Sequence, residues 1–247
     1  MDHFEGKPVA QHLKEARKKG HLAASEAHGT EMPGFFSACL HAMKDTSSAL
    51  LLLWTLGLFL PLSSMALMRI YVLFSIGWLI WKIGKSCLLG WARLERMHRM
   101  IEEERNEIER NRPTERKELT ELYQAKGLTG KLLEDVVDVL MADDRRLLQI
   151  MLEEELGLSL ESEIHPLQQG IGAGCGVVSA SLLGCLGAWI LPSFGLPLFS
   201  ACMLFFSALF CAKRERNQAL PLAIWHLCLA GLSMGLLFYV ARILYGP

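Results

Sequence analysis

The residues whose spacing carries the most chemistry are acidic. Glu104 and Glu107 stand three apart on one helix-forming stretch, and Glu115 and Glu118 three apart on the next. Met151 and Glu155 stand four apart on a later one. Side chains three or four apart share a helix face, so packed helices would gather several carboxylate oxygens and one thioether sulfur into a cage. Such a cage suits divalent cations, because oxygen takes hard or borderline ions and sulfur biases the set towards softer ones. The same acids repel one another until a cation or a proton neutralises them. A plainer reading stands beside this one: a helical hairpin outside a membrane is acidic only for solubility. Glu102, Glu103, Glu109, Glu121, Glu153 and Glu154 fit that reading well.

The elements that must position these acids follow from the charge pattern. The chain has 247 residues, 51% hydrophobic and 21% charged, with a formal net charge of −1. Pro166 to Ala212, Asn217 to Ala241 and Thr46 to Met68 contain no Asp, Glu, Lys or Arg, whereas Arg93 to His165 holds 19 acids against 12 bases. Uncharged runs of that length exceed the ~20 apolar residues that cross a bilayer. A purely soluble fold is excluded, and the reading is an all-α membrane protein with an acidic, water-facing insert. The seven cysteines show no CxxC pattern and no paired framework, and most sit in apolar runs where a thiol is a packing residue.

Five transmembrane helices are expected. The first two cover about Thr46–Ser64 and Ala66–Leu89, and the last three about Gln168–Leu191, Leu198–Ala212 and Ala219–Tyr239. The corresponding regions are a cytoplasmic N-terminal segment (1–45), helices one and two (46–92), the acidic domain (93–165) and helices three to five (166–247). Six Lys/Arg precede Thr46, twelve lie in the insert, and Lys213, Arg214 and Arg216 join helices four and five. The positive-inside rule therefore places the N-terminus and the insert in the cytoplasm and the C-terminus opposite. Lys82 and Lys85, in the inner half of helix two, either snorkel to headgroups or line a permeation path.

The insert reads as a three-helix domain. Its first helix continues helix two from Arg93 and ends before Pro113, since the residue ahead of a proline is pushed out of helical geometry. The second starts at Pro113 or Thr114 and ends at Gly127. Thr129 then caps an amphipathic helix with Leu132, Leu133, Val136, Val137 and Leu140 on one face. Asp143 or Asp144 caps the last helix, which carries Met151 and Glu155 and stops at Gly157.

These residues resemble the vacuolar iron transporter family, which includes manganese transporters. The likeness runs through Glu104, Pro113-Thr114-Glu115-Arg116-Lys117-Glu118-Leu119, Leu122-Tyr123 and Lys126-Gly127-Leu128. It closes on Met151-Leu152-Glu153-Glu154-Glu155-Leu156-Gly157-Leu158. The resemblance implies five transmembrane helices, with a three-helix cytoplasmic metal-binding domain between the second and third. It implies metal ligation by Glu104, Glu107, Glu115, Glu118, Met151 and Glu155. Leu152 stands where the family has a second methionine, and Leu158 where some members have an acid. In the first span, Leu56-Gly57-Leu58-Phe59-Leu60-Pro61 is similar to the family's Asp-Gly-Leu-x-x-Pro, with Leu56 in place of the Asp. Ile70 to Trp91 lacks the Met and Glu that the family's second span supplies. The candidate pathway residues are Thr55, Leu56, Gly57, Pro61 and Lys82.

Five histidines, His3, His12, His21, His28 and His41, fall in the first 41 residues. They belong either to an amphipathic cytoplasmic helix or to auxiliary metal capture, imidazole being a good ligand for iron, zinc or manganese. The expected function is transport of iron(II) or manganese(II) out of the cytoplasm by a homodimer in a lipid bilayer. The alternatives are a membrane-anchored metal binder or sensor that does not conduct, and a structural membrane protein with an acidic hairpin. No enzyme activity, organic cofactor or nucleic-acid partner is expected, and a bacterial inner membrane is favoured over an organelle.

Overall fold

The computed structural model describes residues 34–155 and 165–245, with Glu155 described by its backbone alone. Among the described residues the structure is helical, without strands. In chain order the helices are α1 (Phe35–Gly57), α2 (Ser64–Arg110), α3 (Arg112–Ala125), α4 (Lys131–Met141) and α5 (Asp144–Ile150). A π-helical turn at Met151–Glu155 follows, then α6 (Pro166–Ile190), α7 (Gly195–Arg214) and α8 (Ala219–Tyr245). The chain divides into two compact units, one containing Trp91–Glu163 and the other Glu31–Gly90 with Ile164–Pro247.

In the second unit, α2, α6, α7 and α8 are long and apolar enough to cross a membrane. Helix α1 departs from the expected first span. It begins eleven residues before Thr46 and ends at Gly57, leaving Pro61 in the connection to α2. No Gly or Pro interrupts Phe35–Thr46, so the helix extends through His41, Lys44 and Asp45. Those residues interrupt its apolar run, and α1 is not among the helices apolar enough to cross by composition. It packs against α6, α7 and α8, and its buried residues include Ser37, Lys44, Thr46, Ser47 and Thr55 as well as Leu50 and Leu51.

Helix α6 presents two stripes of small residues. A Cβ on Gly172 would overlap the carbonyl of Phe35, and one on Gly176 the carbonyl of Cys39, so α1 runs directly against this stripe. Gly170 and Gly174 face the other way, towards Cys87 and Ile83 of α2. Small residues at four-residue spacing let helix backbones approach closely in a membrane, where packing substitutes for the missing hydrophobic drive. Polar links add to the α1–α2 contact. Trp78 Nε1 donates to Thr46 Oγ1 at 3.1 Å, and Lys82 pairs with Asp45 while its ammonium lies 5.7 Å from the Trp78 ring. Large apolar side chains along α8, among them Trp225, Leu232 and Leu236, are exposed, as are Leu73 and Ile80 of α2.

In the first unit the helix break falls just ahead of Pro113, and α3 takes that proline into its first turn. Gly127, past the end of α3, has a φ of 95°, a left-handed geometry that suits glycine. The unit holds four helical pieces and the π turn, against the three helices that the resemblance implies. The amphipathic helix expected after α3 is α4, which starts behind Gly130 (φ 63°) and is not capped by Thr129. Its buried stripe is Leu133, Val137 and Met141, four apart, with Leu132 turned outward. Asp143 caps α5 by accepting from the Arg145 amide at 2.9 Å. Arg112 ties α3 to both sides of the α4–α5 corner: it donates to the Met141 carbonyl at 2.6 Å and meets Asp144 Oδ1 at 2.8 Å. The guanidinium is half-exposed, so Arg112→Ala is expected to cost only about 1 kcal/mol. That loss should read as roughly fivefold faster amide exchange across α4 and α5.

Candidate metal centre

The acids of the first unit differ sharply in burial. Glu115 and Glu118 are each 1% exposed, Glu104 is 8% exposed and Met151 is fully buried, while Glu107 is half-buried. Glu102, Glu103, Glu109, Glu121 and Glu153 are exposed, and Glu154 is half-buried in an ion pair with Lys126. The side chain of Glu155, Gly157 and Leu158 lie outside the described residues.

One apolar core explains why these particular acids turn inward. Ile108 of α2, Leu119 of α3, Leu147 of α5 and Met151 of the π turn belong to one buried cluster with the stripe of α4. Glu104 stands one turn before Ile108, and Glu115 one turn before Leu119, on the same helix faces. Glu118 adjoins Leu119 and Glu107 adjoins Ile108. Docking the apolar residues therefore carries the carboxyl-bearing faces of α2 and α3 towards the turn that holds Met151. Single π turns shift the phase of the residues beyond them and recur at functional sites. Leu152, in place of a second sulfur, is buried beside Met100 and Ile101.

Withdrawing a carboxylate from water costs several kcal/mol unless charge or hydrogen bonds replace the lost hydration. Glu104, Glu107, Glu115 and Glu118 all have interacting partners within the chain. Where buried carboxylates lie close together they repel one another when ionised, and a divalent cation or a proton would relieve that repulsion. The donor set is oxygen with one thioether, which fits a hard to borderline ion.

The candidate pathway residues of the second unit do not gather in the same way. Thr55 is buried and donates to the Leu51 carbonyl of its own helix at 2.9 Å. Leu56 is 41% exposed and turned out of the unit. Gly57 lies against Tyr71 and Leu67, Pro61 is exposed in the connection, and Lys82 is held by Asp45.

The polar groups that do meet in this unit lie at the start of α1 and the end of α7. Lys44 is buried, with its ammonium 3.5 Å from Cys211 Sγ, and His41 faces Cys211 and Glu215. His41 precedes the apolar part of α1 and is half-buried. Reading hydropathy alone placed Lys44 and Asp45 before the first span and missed Cys211 and Glu215. The available signal was helical spacing: His41, Lys44 and Asp45 continue an unbroken helix, and Cys211 and Glu215 stand four apart. His3, His12, His21 and His28 lie outside the described residues.

An all-helical integral membrane protein with buried acids in a separate helical unit is a class to which metal transporters belong. Residues 90–242 match the model of the VIT family, well over half of the chain. The protein belongs to the VIT family, whose members are membrane metal-ion transporters rather than enzymes. No curated protein matches the chain. The family match takes in the acidic unit and α6 to α8, but not α1.

Proposed function

We propose that the protein moves iron(II) or manganese(II) out of the cytoplasm, loading the ion through Glu104, Glu107, Glu115, Glu118, Met151 and Glu155. The observation that carries this reading is the burial of Glu104, Glu115, Glu118 and Met151 around one core while neighbouring acids face solvent. In this reading the chain spans the membrane five times, with α1 as the first span. The N-terminus and the acidic unit lie in the cytoplasm and the C-terminus lies opposite, as the distribution of Lys and Arg favours. Two copies associate, and the exposed apolar faces of α8 and of the first part of α2 offer the area for lipid or for a second copy. A bacterial inner membrane is the setting this reading favours.

A second reading has its own support. Leu56, at the position where the resemblance sets an acid, is apolar and turned outward, which suits a protein that binds or senses metal without conducting it. Proteoliposomes holding a metal-sensitive dye separate the two. Transport predicts a dye response on adding iron(II) or manganese(II). A silent dye in vesicles whose protein still binds those ions favours the sensor.

A further inference from the structure

The membrane unit contains a second set of metal-ligating side chains, remote in sequence from the acids of the insert. His41 comes from α1, Cys211 from the last turn of α7, and Glu215 caps α7 four residues on. Cys211 Sγ lies 3.5 Å from His41 Nε2 and 3.1 Å from Glu215 Oε1. His41 Nε2 lies 3.7 Å from the same carboxylate oxygen. A tetrahedral ion bound at ~2.3 Å to sulfur and ~2.0–2.1 Å to nitrogen and oxygen spaces its ligands roughly 3.3–3.6 Å apart. The triangle of nitrogen, sulfur and oxygen is already about that size. Among the described residues, these are the ones of the His, Cys, Asp and Glu types whose ligand atoms cluster in this way.

We infer that His41, Cys211 and Glu215 form a three-ligand site for a borderline divalent transition ion, of the zinc(II), iron(II) or cobalt(II) kind. One nitrogen, one thiolate and one carboxylate disfavour magnesium and calcium, which take oxygen ligands. Binding replaces the Cys211 S–H bond with a sulfur–metal bond and releases the thiol proton to water. Thiolate and carboxylate together balance the two charges of the ion. The Lys44 ammonium lies 3.5 Å from the sulfur, and its repulsion of the ion keeps the site exchangeable. Cys211 is buried while His41 and Glu215 are half-buried, so three ligands come from the protein and the outer side leaves a fourth position open. The site stands independently of metal binding by the insert.

Cobalt(II) added to the full chain in detergent, in buffer without thiols, tests the assignment. A thiolate on cobalt(II) gives an intense near-ultraviolet charge-transfer band. Residues 93–165 contain no cysteine, so the insert cannot produce it. The band is expected at one ion per chain, abolished by Cys211→Ser and retained by Cys228→Ser, an exposed position on α8. Glu215→Gln and His41→Gln are each expected to weaken binding by more than about tenfold, a loss at least as large as groups behind metal ligands produce. Absence of the band in the unsubstituted chain overturns the proposal, and so does a band that survives Cys211→Ser. Should Cys211→Ser fail to fold, Glu215→Gln decides, because that side chain is half-buried at a helix end instead of filling the core; unchanged affinity there overturns the site. A silent insert with the band present would leave this site standing while removing the loading step of the transport reading.

Discussion

Replacing Glu115 and Glu118 together with Gln is expected to abolish metal-induced stabilisation of the acidic unit. Both carboxyls are buried, and the two substitutions preserve shape while removing up to two negative charges from the interior. Both acids also have interacting partners within the chain, so the effect of metal is read as the difference between each protein with and without the ion. The ion loses two of its oxygen donors and the charge that drew it. A ligand that binds only the folded state stabilises it by RT ln(1 + [L]/Kd), about 2.7 kcal/mol at a hundredfold excess over Kd. That increment should appear in thermal unfolding of the unsubstituted chain on adding manganese(II) and vanish in the double variant. A variant that still gains the full increment with metal would show that these acids serve the fold and do not hold the ion. The contrasting control is Glu102→Gln with Glu121→Gln, two exposed acids, for which the metal increment should persist nearly in full.

The parts of this protein that could be read from its sequence are those determined by residues close together in the chain. An uncharged stretch broken at Pro192–Pro197 places α6 and α7, and Pro113 with Gly127 brackets α3, because helix breaking is a local steric matter. Glu104, Glu115 and Glu118 are buried where Glu102, Glu103, Glu109 and Glu121 are exposed, and Glu107 is half-buried. Spacing alone does not make that division, since Glu118 and Glu121 also stand three apart; the apolar residues Ile108 and Leu119, one turn beyond Glu104 and Glu115, do. What could not be read was settled by distant partners. Lys44 and Asp45 look like water-facing residues ahead of a span, yet Asp45 pairs with Lys82 and Lys44 reaches Cys211, 167 residues away. These contacts come from distant parts of the chain, so hydropathy did not reveal that the helix begins at Phe35. The separation of α4 from α5 was legible, because Asp143 marks a local cap, whereas the π turn at Met151–Glu155 was not, because no local residue pattern calls for it.

The same distant packing makes the glycines of α6 the positions where a small change should do the greatest damage. Gly172 and Gly176 meet backbone, the Phe35 and Cys39 carbonyls of α1, so an added methyl cannot be accommodated by turning a flexible side chain. The helices must separate, and α1 then loses its contact with α6 along Ala38, Ala42, Ala173 and Val177. Overpacking a tight core costs typically 1–3 kcal/mol at one site and occasionally more. With two steps of the stripe blocked together, Gly172→Ala with Gly176→Ala is expected to lose more than about 3 kcal/mol. Gly231 and Gly235 of α8 repeat the same four-residue spacing but have open space where a Cβ would sit. The corresponding pair of alanines there should be neutral or stabilising, by up to roughly 0.5–1 kcal/mol per site, since glycine weakens a helix interior relative to alanine. Unfolding of the purified chain in detergent by denaturant titration would measure both variants on one scale. Equal stabilities would mean that α1 is not seated against α6, and with that the convergence of His41 on Cys211 and Glu215 would lose its scaffold.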